Sequence, residues 1–280
     1  MNPFKKTDEF EAEITDFLKK HKTFLSNQGK RISDYFEMSC YNKLVRFYER
    51  TGFRIKVKNL VAKKFRYKLS PGGYPENFSY FEISYPSGSE QGNNIYVFEI
   101  HHNLTVQSGH QDDIYLTPDI TVINKDSIIS DYDHYLVENS TKKFCYVKNG
   151  DLQTFCEVKN FNPFPELLFN FIGLYNELKA PALSFNQHTE PPLHLAPSLM
   201  ISGKANKHTS RIKDSLENRH TVNLLFDLFE HSVFVYGVHP NTILSMSPQL
   251  SKESPDNNTL AEVTANPFWE YDKASDDLPF

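Results

Sequence analysis

The spacing of apolar positions divides the chain into helical ends and a sheet-rich middle. Helical spacing predicts one amphipathic helix over 7–25 and a second from Asp34 to Arg50, which Thr51-Gly52 ends. From there to about residue 159, short runs of aromatic and β-branched residues alternate with turn clusters such as Ser70-Pro71-Gly72-Gly73. This middle region is therefore predicted to be a sheet.

Two of the predicted strands have one apolar and one polar face. In the stretch 114–123 the even positions are apolar, and Asp119 lies among the polar odd positions. In the stretch 154–161, Glu157 and Lys159 share one face because strand side chains repeat every two residues. The polar faces of these strands are where we expect chemistry.

The last third of the folded region returns to helices and short strands. Asn162 is a predicted N-cap for a helix from Pro163 to about Lys179, which Ala180-Pro181 ends. An apolar run (199–201), a polar helix (206–220) and an apolar strand (222–228) follow. The order predicts an α/β (α+β) fold with a mixed central sheet flanked by helices.

Composition separates a folded body from a tail. The predicted units are an N-terminal helix (1–32), an α/β domain with β-hairpin insertions (33–239) and a disordered acidic tail (240–280), which is rich in Ser, Pro, Asn and acids. Residues 251–280 hold seven acids and two bases, which equals the net charge of −5 of all 280 residues. The rest of the chain is therefore neutral.

Overall composition indicates a globular protein. Hydrophobic residues make up 39% and aromatic residues 14%, with a mean hydropathy of −0.52. The first thirty residues contain no continuous apolar run, so we expect neither a signal peptide nor a membrane span, and we expect a cytoplasmic location. Cys40, Cys145 and Cys156 are at no metal-ligand spacing and are predicted to be reduced thiols.

One stretch of the neutral body is strongly basic. It contains no acid and seven cations: Arg54, Lys56, Lys58, Lys63, Lys64, Arg66 and Lys68. It could bind nucleic-acid phosphates, or it could be the solvated side of a strand or hairpin, and the sequence favours neither. A weaker basic segment contains Lys204, Lys207, His208, Arg211 and Lys213.

The polar faces of the two strands offer a metal-dependent chemistry. If the strands are neighbours, the carboxylates of Asp119 and Glu157 converge with the amine of Lys159. Paired carboxylates bind Mg²⁺, which polarises a phosphodiester and acidifies a bound water. Lys159 could orient that water or neutralise developing phosphoryl charge. The combination predicts a phosphodiester hydrolase.

Pro118-Asp119 and Glu157-Val158-Lys159 together resemble the signature of the PD-(D/E)XK nuclease superfamily. The resemblance spans 33–203 and implies a restriction-endonuclease-like core, in which Asp119 and Glu157 hold Mg²⁺, or Mn²⁺ in its place. It also implies that Glu37 on the preceding helix assists the catalytic residues. The gap of 38 positions from Asp119 to Glu157 requires an inserted hairpin, predicted at 143–151.

A second group of histidines and carboxylates is an alternative metal site. It consists of Glu99, His101, His102, His110, Asp112 and Asp113. Glu99 and His101 share a face of the predicted strand 95–105, so we expect them to line the same cleft behind the metal ligands. We expect His102 and His110 to be polar surface residues.

The last residues resemble the C-terminal tip of bacterial single-stranded-DNA-binding proteins. The matching residues are Asp276, Asp277, Leu278, Pro279 and Phe280. The resemblance implies a mobile peptide that docks on replication or repair proteins. A solubilising tail that ends in Phe by coincidence is the alternative.

These features predict a Mg²⁺-dependent nuclease that hydrolyses DNA in genome defence, restriction or repair. The alternative is a non-cleaving nucleic-acid-binding or adaptor module with the same fold, which recruits partners through the tip. The sequence has no Gly-x-x-x-x-Gly-Lys loop, which argues against nucleotide-driven chemistry. The sequence does not decide whether the substrate is single- or double-stranded DNA or is RNA. It also leaves the oligomeric state undetermined, a homo-oligomer included.

Overall fold

The structure is a computed structural model that describes residues 3–26, 29, 31–86, 95–134, 142–178, 194–228, 234–238 and 244–248. Its helices are α1 (Pro3–Lys20), α2 (Ile32–Arg50), α3 (Pro165–Leu178) and α4 (Lys207–Glu217), with short 3₁₀ turns at Pro75–Asn77 and Asn149–Asp151. Its strands are β1 (Phe24–Leu25), β2 (Arg54–Lys58), β3 (Lys64–Phe65), β4 (Tyr80–Pro86), β5 (Ile95–His102), β6 (Val106–Gln107), β7 (Tyr115–Leu116), β8 (Ile120–Asn124), β9 (Ile128–Asp131), β10 (Phe144–Val147), β11 (Leu152–Lys159), β12 (Ser198–Ile201), β13 (Asn223–Leu225), β14 (Phe234–Val238) and β15 (Leu244–Pro248).

A seven-stranded mixed sheet forms the centre, with the order β13-β12-β11-β8-β5-β4-β2. Neighbours from β2 to β11 are antiparallel, whereas β11, β12 and β13 are parallel. Parallel neighbours need a crossover connection, and α3 lies between β11 and β12 in the chain. The predicted α/β class, a mixed sheet flanked by helices, is confirmed.

The cross-strand register defines two faces of this sheet. One row runs Lys58, Tyr80, His101, Thr121, Phe155 across β2, β4, β5, β8 and β11. The face that carries this row bears the ring of Phe155, which contacts Phe171 of α3. We call it the α3 face.

The opposite face packs on α1 and α2. Its buried side chains include Phe81, Ile83, Ile100, Ile120, Val122 and Cys156, in one cluster with Ile14 of α1 and Tyr41, Leu44 and Tyr48 of α2. Burying one side chain of this size stabilises a fold by about 1.5–3 kcal/mol, so this cluster makes a large contribution to the stability of the domain. We call this side the α2 face.

Helix α2 has clear boundaries that set where β2 begins. The Asp34 carboxylate accepts a hydrogen bond from the Arg31 backbone N–H at 3.1 Å, which satisfies a free donor at the helix start. At the other end, Thr51 donates its N–H to Phe47 O, and Gly52 has a φ of 91°. Glycine adopts this left-handed conformation at little cost, so the chain turns sharply into β2.

A second, four-stranded sheet has the order β7-β6-β10-β9. Strands β9 and β10 pair antiparallel and belong to the insertion between Asp119 and Glu157. An inserted hairpin is therefore present, but the predicted position 143–151 is wrong. That range covers only β10 and the 3₁₀ turn, because the partner strand β9 lies earlier in the chain.

The predicted strand 114–123 is also wrong as a single element. It divides into β7 in the small sheet and β8 in the large sheet, and Asp119 lies at the break. Pro118 has no N–H to donate to a sheet ladder, which favours an interruption beside it. Ile114, predicted to be apolar and buried, is 46% exposed.

Other elements agree with the sequence to within a few residues, except that α1 begins earlier and ends earlier than 7–25 and that β13 is shorter than 222–228. Strand β15 lies inside the range 240–280, where disorder was expected, and pairs with β14; residues 249–280, including the tip, lie outside the described residues. The cysteines are free, as expected. In the described ranges, the helices are too short or too polar to cross a membrane.

Candidate functional site

The register of β8 and β11 brings Asp119 and Glu157 together. Thr121 pairs with Phe155 and Ile120 with Cys156, so continuing this register by one residue places Asp119 opposite Glu157. The Asp119 carboxylate also accepts a hydrogen bond from the backbone N–H of Val158, with 2.7 Å between Oδ2 and N. The strand ends are thereby fixed to each other at this point.

Lys159 bridges the two carboxylates. Its Nζ lies 3.0 Å from Asp119 Oδ2 and 2.7 Å from Glu157 Oε2. The side chains of Asp119 and Glu157 are only 16% and 14% exposed, and that of Lys159 is 31% exposed. The three residues therefore lie together, as their positions on the strands suggest, and their catalytic roles stay a prediction.

Burial and mutual charge shift the ionisation of this group. Burial and the neighbouring Asp119 carboxylate raise the pKa of Glu157 to about 7, although Lys159 opposes this. Burial acts to lower the pKa of Lys159, but the two carboxylates outweigh it and raise that pKa above its usual value. A cation is thus strongly favoured between the two acids.

Glu37 faces the sheet from α2 but does not join this group directly. Its Oε1 accepts a hydrogen bond from Asn103 Nδ2 at 2.8 Å and lies 2.9 Å from His102 Nε2. Asn103 in turn donates its backbone N–H to Asp119 O at 2.8 Å. Glu37 is therefore linked to Asp119 through Asn103.

Asn103 and Lys68 form a buried polar connection that the sequence did not reveal. Asn103 has a left-handed φ of 50° and also donates its side-chain amide to Lys68 O at 2.8 Å. The Lys68 ammonium donates to the carbonyl oxygen of Asn103 and, at 2.7 Å, to that of Pro71. The alternation of aromatic and basic residues over 65–68 would place Lys68 on the exposed side with Arg66, so the sequence pattern gave no signal that Lys68 is buried.

The predicted role of Lys68 in binding nucleic acid is wrong. The residue is only 5% exposed, and burial lowers the pKa of its amine to about 8. Its ammonium is already committed to two backbone carbonyls, so it cannot reach a phosphate outside the domain. Lys68 therefore stabilises the loop around Asn103.

The other six cations of the basic stretch are at the surface or half-buried. Arg54 and Lys56 are exposed on the edge strand β2, on the α3 face that also carries Glu157. Lys58 pairs with Glu82 at 3.2 Å, and Arg66 lies over the Phe78 ring at 5.0 Å. Lys63 and Lys64 are exposed in the turn before and at the start of β3, so the stretch is an edge strand followed by a turn and not one hairpin.

Glu99 and His101 lie on the α3 face as a buried pair. His101 Nε2 is 2.9 Å from Glu99 Oε2, and the Tyr80 ring stacks on the imidazole with 4.5 Å between the ring centroids. The row of residues that contains His101 is adjacent to the one that contains Asp119 and Glu157. Their place behind the metal ligands stays a prediction.

The rest of the predicted histidine and carboxylate cluster is dispersed. His102 was expected on the surface, which is wrong: it is 4% exposed on the α2 face, beside Tyr41. His110 is exposed, as expected, and its Nε2 lies 3.0 Å from Asn176 O. Asp112 and Asp113 are exposed in the loop before β7. These residues therefore share no site with Glu99 and His101.

The carboxylates of Asp119 and Glu157 are the candidate ligands of a divalent cation. Both carboxylates reach the single ammonium of Lys159, so both can address one positively charged group. Across the described part of the chain, no group of three or more His, Cys, Asp or Glu side chains could hold a metal ion. Two carboxylates with waters are thus the ligand set that the geometry offers, which fits Mg²⁺ because Mg²⁺ retains several waters in proteins.

Comparison of the chain with protein-family models, with curated proteins and with solved structures gives no match. The three side chains at the ends of β8 and β11 provide paired carboxylates and one amine in a partly enclosed place.

Proposed function

We propose that this protein is a Mg²⁺-dependent nuclease that hydrolyses DNA phosphodiester bonds, with Mn²⁺ able to substitute. The observation that carries the proposal is the convergence of Asp119 and Glu157 on one cationic group, the Lys159 ammonium. The two negative charges repel each other at this short distance. A divalent cation bound between the carboxylates would offset that repulsion.

Each residue of the group would have a defined task. Asp119 and Glu157 would hold the metal ion, which supplies charge to polarise the phosphodiester and acidify water when it is bound. Lys159 would leave its bridging position to hold that water or to neutralise charge on the phosphoryl group. Glu37 would act at one remove, through its hydrogen bond to Asn103.

The order of elements supports a restriction-endonuclease-like core. Helix α2 precedes an antiparallel meander of β5, β8 and β11, in which Asp119 borders the second strand and Glu157 lies on the third. Helix α3 and the parallel strand β12 then follow. This is the order that the resemblance to PD-(D/E)XK nucleases implies, here extended by β2 and β4 at one edge.

The position of the basic edge strand supports nucleic acid as the substrate. Strand β2 is three strands from β8 and four from β11, and the register places the Asp119–Glu157 row two residues beyond Lys58. Lys56 and Arg54 therefore lie roughly 20–30 Å from the candidate active site on the same face. A phosphate chain laid across the α3 face could contact both places. The proposal leaves genome defence, restriction and repair as the possible settings.

One observation favours a second function. The Lys159 ammonium contacts both carboxylates, so the three side chains could serve as an ion-pair network that holds the ends of β8 and β11 together in a non-cleaving nucleic-acid-binding or adaptor module. In that case the fold would bind nucleic acid, and Asp276 to Phe280 would recruit replication or repair proteins.

A cleavage assay separates these two functions. Plasmid, duplex and single-stranded DNA are incubated with Mg²⁺, Mn²⁺ or EDTA, using wild type, Asp119→Asn, Glu157→Gln and Lys159→Met. The exposed carboxylate Asp113 provides the matched control Asp113→Asn. We expect metal-dependent cleavage by wild type and the control, and a loss of about 100-fold or more in the three site variants.

Equal cleavage by wild type and Asp119→Asn would assign the activity to a contaminant and remove the proposal. Binding of DNA by wild type without cleavage in either metal would favour the non-cleaving module.

A further inference from the structure

The loop that follows β11 exposes two phenylalanine rings beside the candidate active site. Phe161 and Phe164 are each 44% exposed, and their ring centroids are 5.8 Å apart at an interplanar angle of 32°. Phe161 is only two residues beyond Lys159. Two large apolar rings at one exposed place mark an interaction site more often than isolated surface residues do.

The position of this loop is fixed relative to the site. Gly203 donates its N–H to Phe161 O at 3.2 Å, and Ser202 donates its N–H to Lys159 O at 3.1 Å. The backbone of Asn162 lies so close to Gly203 that a Cβ there would be 2.7 Å from the Asn162 Cα. The loop is therefore held against the segment that follows β12, and the two rings are tied to the strand that carries Lys159.

That neighbouring segment is basic. Lys204, Lys207, His208 and Arg211 are all exposed. Asn206 caps α4 by accepting the N–H groups of His208 and Thr209, so Lys207 and His208 lie in the first turn, where there is no acid. Cations at a helix N-terminus oppose the helix dipole, so these charges do not stabilise α4. An anionic chain beside them would be favourable.

We propose that the loop 160–164 and the start of α4 bind single-stranded nucleic acid next to the candidate active site. Phe161 and Phe164 would stack on unpaired bases, while Lys204, Lys207 and Arg211 would contact the phosphates. Aromatic rings and cations in one groove are the usual elements of single-strand recognition, because every base offers a flat face once it is unpaired. Bases within a duplex are already stacked on each other and do not offer that face.

This inference rests on the proposed function in one respect, since it places the strand by the site around Lys159. It deepens that function by naming the substrate class as DNA with unpaired bases at the loop. Its test is a binding measurement that needs no cleavage, so the two ideas can fail separately.

The test measures fluorescence anisotropy in EDTA with the Asp119→Asn variant as the background. Three labelled probes are used: a single strand, the same strand with abasic nucleotides, and a blunt duplex. We expect the double substitution Phe161→Leu with Phe164→Leu to weaken binding of the intact single strand about tenfold. The abasic strand and the duplex should change by less than about twofold, because they lose no stacking.

Two further variants separate stacking from packing. The double substitution Phe161→Tyr with Phe164→Tyr keeps two flat rings, so it should bind the single strand as tightly as the background does. If the rings acted only as apolar side chains, the Leu double variant would bind equally well. Phe24→Leu, at a 60% exposed ring on β1, is the matched control and should have no effect. Thermal melting of each variant verifies that it is folded.

The cations have their own readout in the same assay. Lys204→Ala, Lys207→Ala and Arg211→Ala together should lower the slope of log affinity against log salt by about two for the single-stranded probes, since each phosphate contact contributes about 0.7. An unchanged slope would overturn the phosphate contacts.

Equal binding of the intact strand by the Leu double variant and its background would overturn the stacking site, as would an equal loss on the abasic strand. If wild type never cleaves but this binding pattern appears, the nuclease fails and the strand-binding site stands.

Discussion

Asn103 donates its backbone N–H to the carbonyl oxygen of Asp119 at 2.8 Å and its side-chain amide to Glu37 Oε1 at the same distance. One residue thereby connects α2 with the strand end that carries a candidate metal ligand. It does so with a φ of 50°, a region that Asn and Gly enter more readily than other residues.

We expect Asn103→Gly and Asn103→Ala to destabilise the domain by different amounts. Glycine keeps the left-handed backbone but loses the hydrogen bonds to Glu37 and Lys68, at a cost of about 1–3 kcal/mol in the free energy of unfolding. Alanine loses the same bonds and adds about 1 kcal/mol of backbone strain. Urea denaturation measures both.

Asp126 is the control for this comparison, because it has a φ of 59° and is exposed. The free energies of unfolding of Asp126→Ala and Asp126→Gly should differ only by the backbone strain of Ala in the left-handed conformation. Equal stabilities of Asn103→Gly and wild type would contradict the role assigned to the Asn103 side chain.

The raised pKa of Glu157 predicts a pH-dependent cost in stability. The folded carboxyl retains its proton up to a pKa of about 7, whereas an unfolded Glu loses it near its ordinary value. The native state therefore binds more protons between those values, so the stability that protonated Glu157 contributes is full at low pH and is lost as the pH rises through 7.

Glu157→Gln cannot ionise, so its unfolding free energy relative to wild type should increase by about 3 kcal/mol from about pH 4 to about pH 8. Denaturation curves across this range measure the difference. Glu9→Gln, at an exposed position in α1, is the control for the substitution itself. A constant difference between Glu157→Gln and wild type would show that burial and Asp119 do not shift the carboxyl.

The elements that the sequence predicted well are those whose pattern depends on one buried face. Helix α2 follows its apolar stripe, and its Gly52 stop is where the chain turns. The Glu157 strand was found because burial alternates over its second half, from Cys156 to Lys159. The convergence of Asp119, Glu157 and Lys159 followed from these local patterns once β8 and β11 were neighbours.

The features that the sequence did not predict depend on contacts distant in the chain. The apolar alternation over 114–123 continues through Pro118, although β7 and β8 on its two sides belong to different sheets whose other strands lie far away in the chain. Lys68 has an ordinary basic neighbourhood in sequence, yet it is buried by the loop that contains Asn103, 35 positions away. The fold alone decides which cation of a basic run reaches solvent.

The difference between the exposed cations and the buried Lys68 can be measured as a difference in DNA binding. Arg54 and Lys56 are exposed on the α3 face, so replacing both by Ala should lower the salt slope of duplex DNA binding by about two, at about 0.9 per phosphate contact. Lys68→Met should leave the slope unchanged, because the buried ammonium makes no phosphate contact. Binding is measured by anisotropy over a salt series at a temperature where melting shows both variants folded. A slope that falls equally in Lys68→Met would restore Lys68 to the binding surface.

Because Gly203 has no side chain, the loop after β11 can approach the segment after β12 closely. A Cβ at this position would lie 2.7 Å from the Asn162 Cα and 2.8 Å from its N, which are backbone atoms that cannot rotate away. Gly203→Ala should therefore separate the two segments, break the hydrogen bond from Gly203 N–H to Phe161 O and destabilise the domain by about 1–3 kcal/mol.

The matched control is Gly150→Ala, because a Cβ at Gly150 meets nothing within 4 Å. It should change the free energy of unfolding by no more than about 0.5 kcal/mol, since surface substitutions away from special features are nearly neutral. Thermal and urea unfolding of both variants measure the contrast. If Gly203→Ala were as stable as Gly150→Ala, the loop would have room to relax, and Phe161 would not be held by this contact beside Lys159.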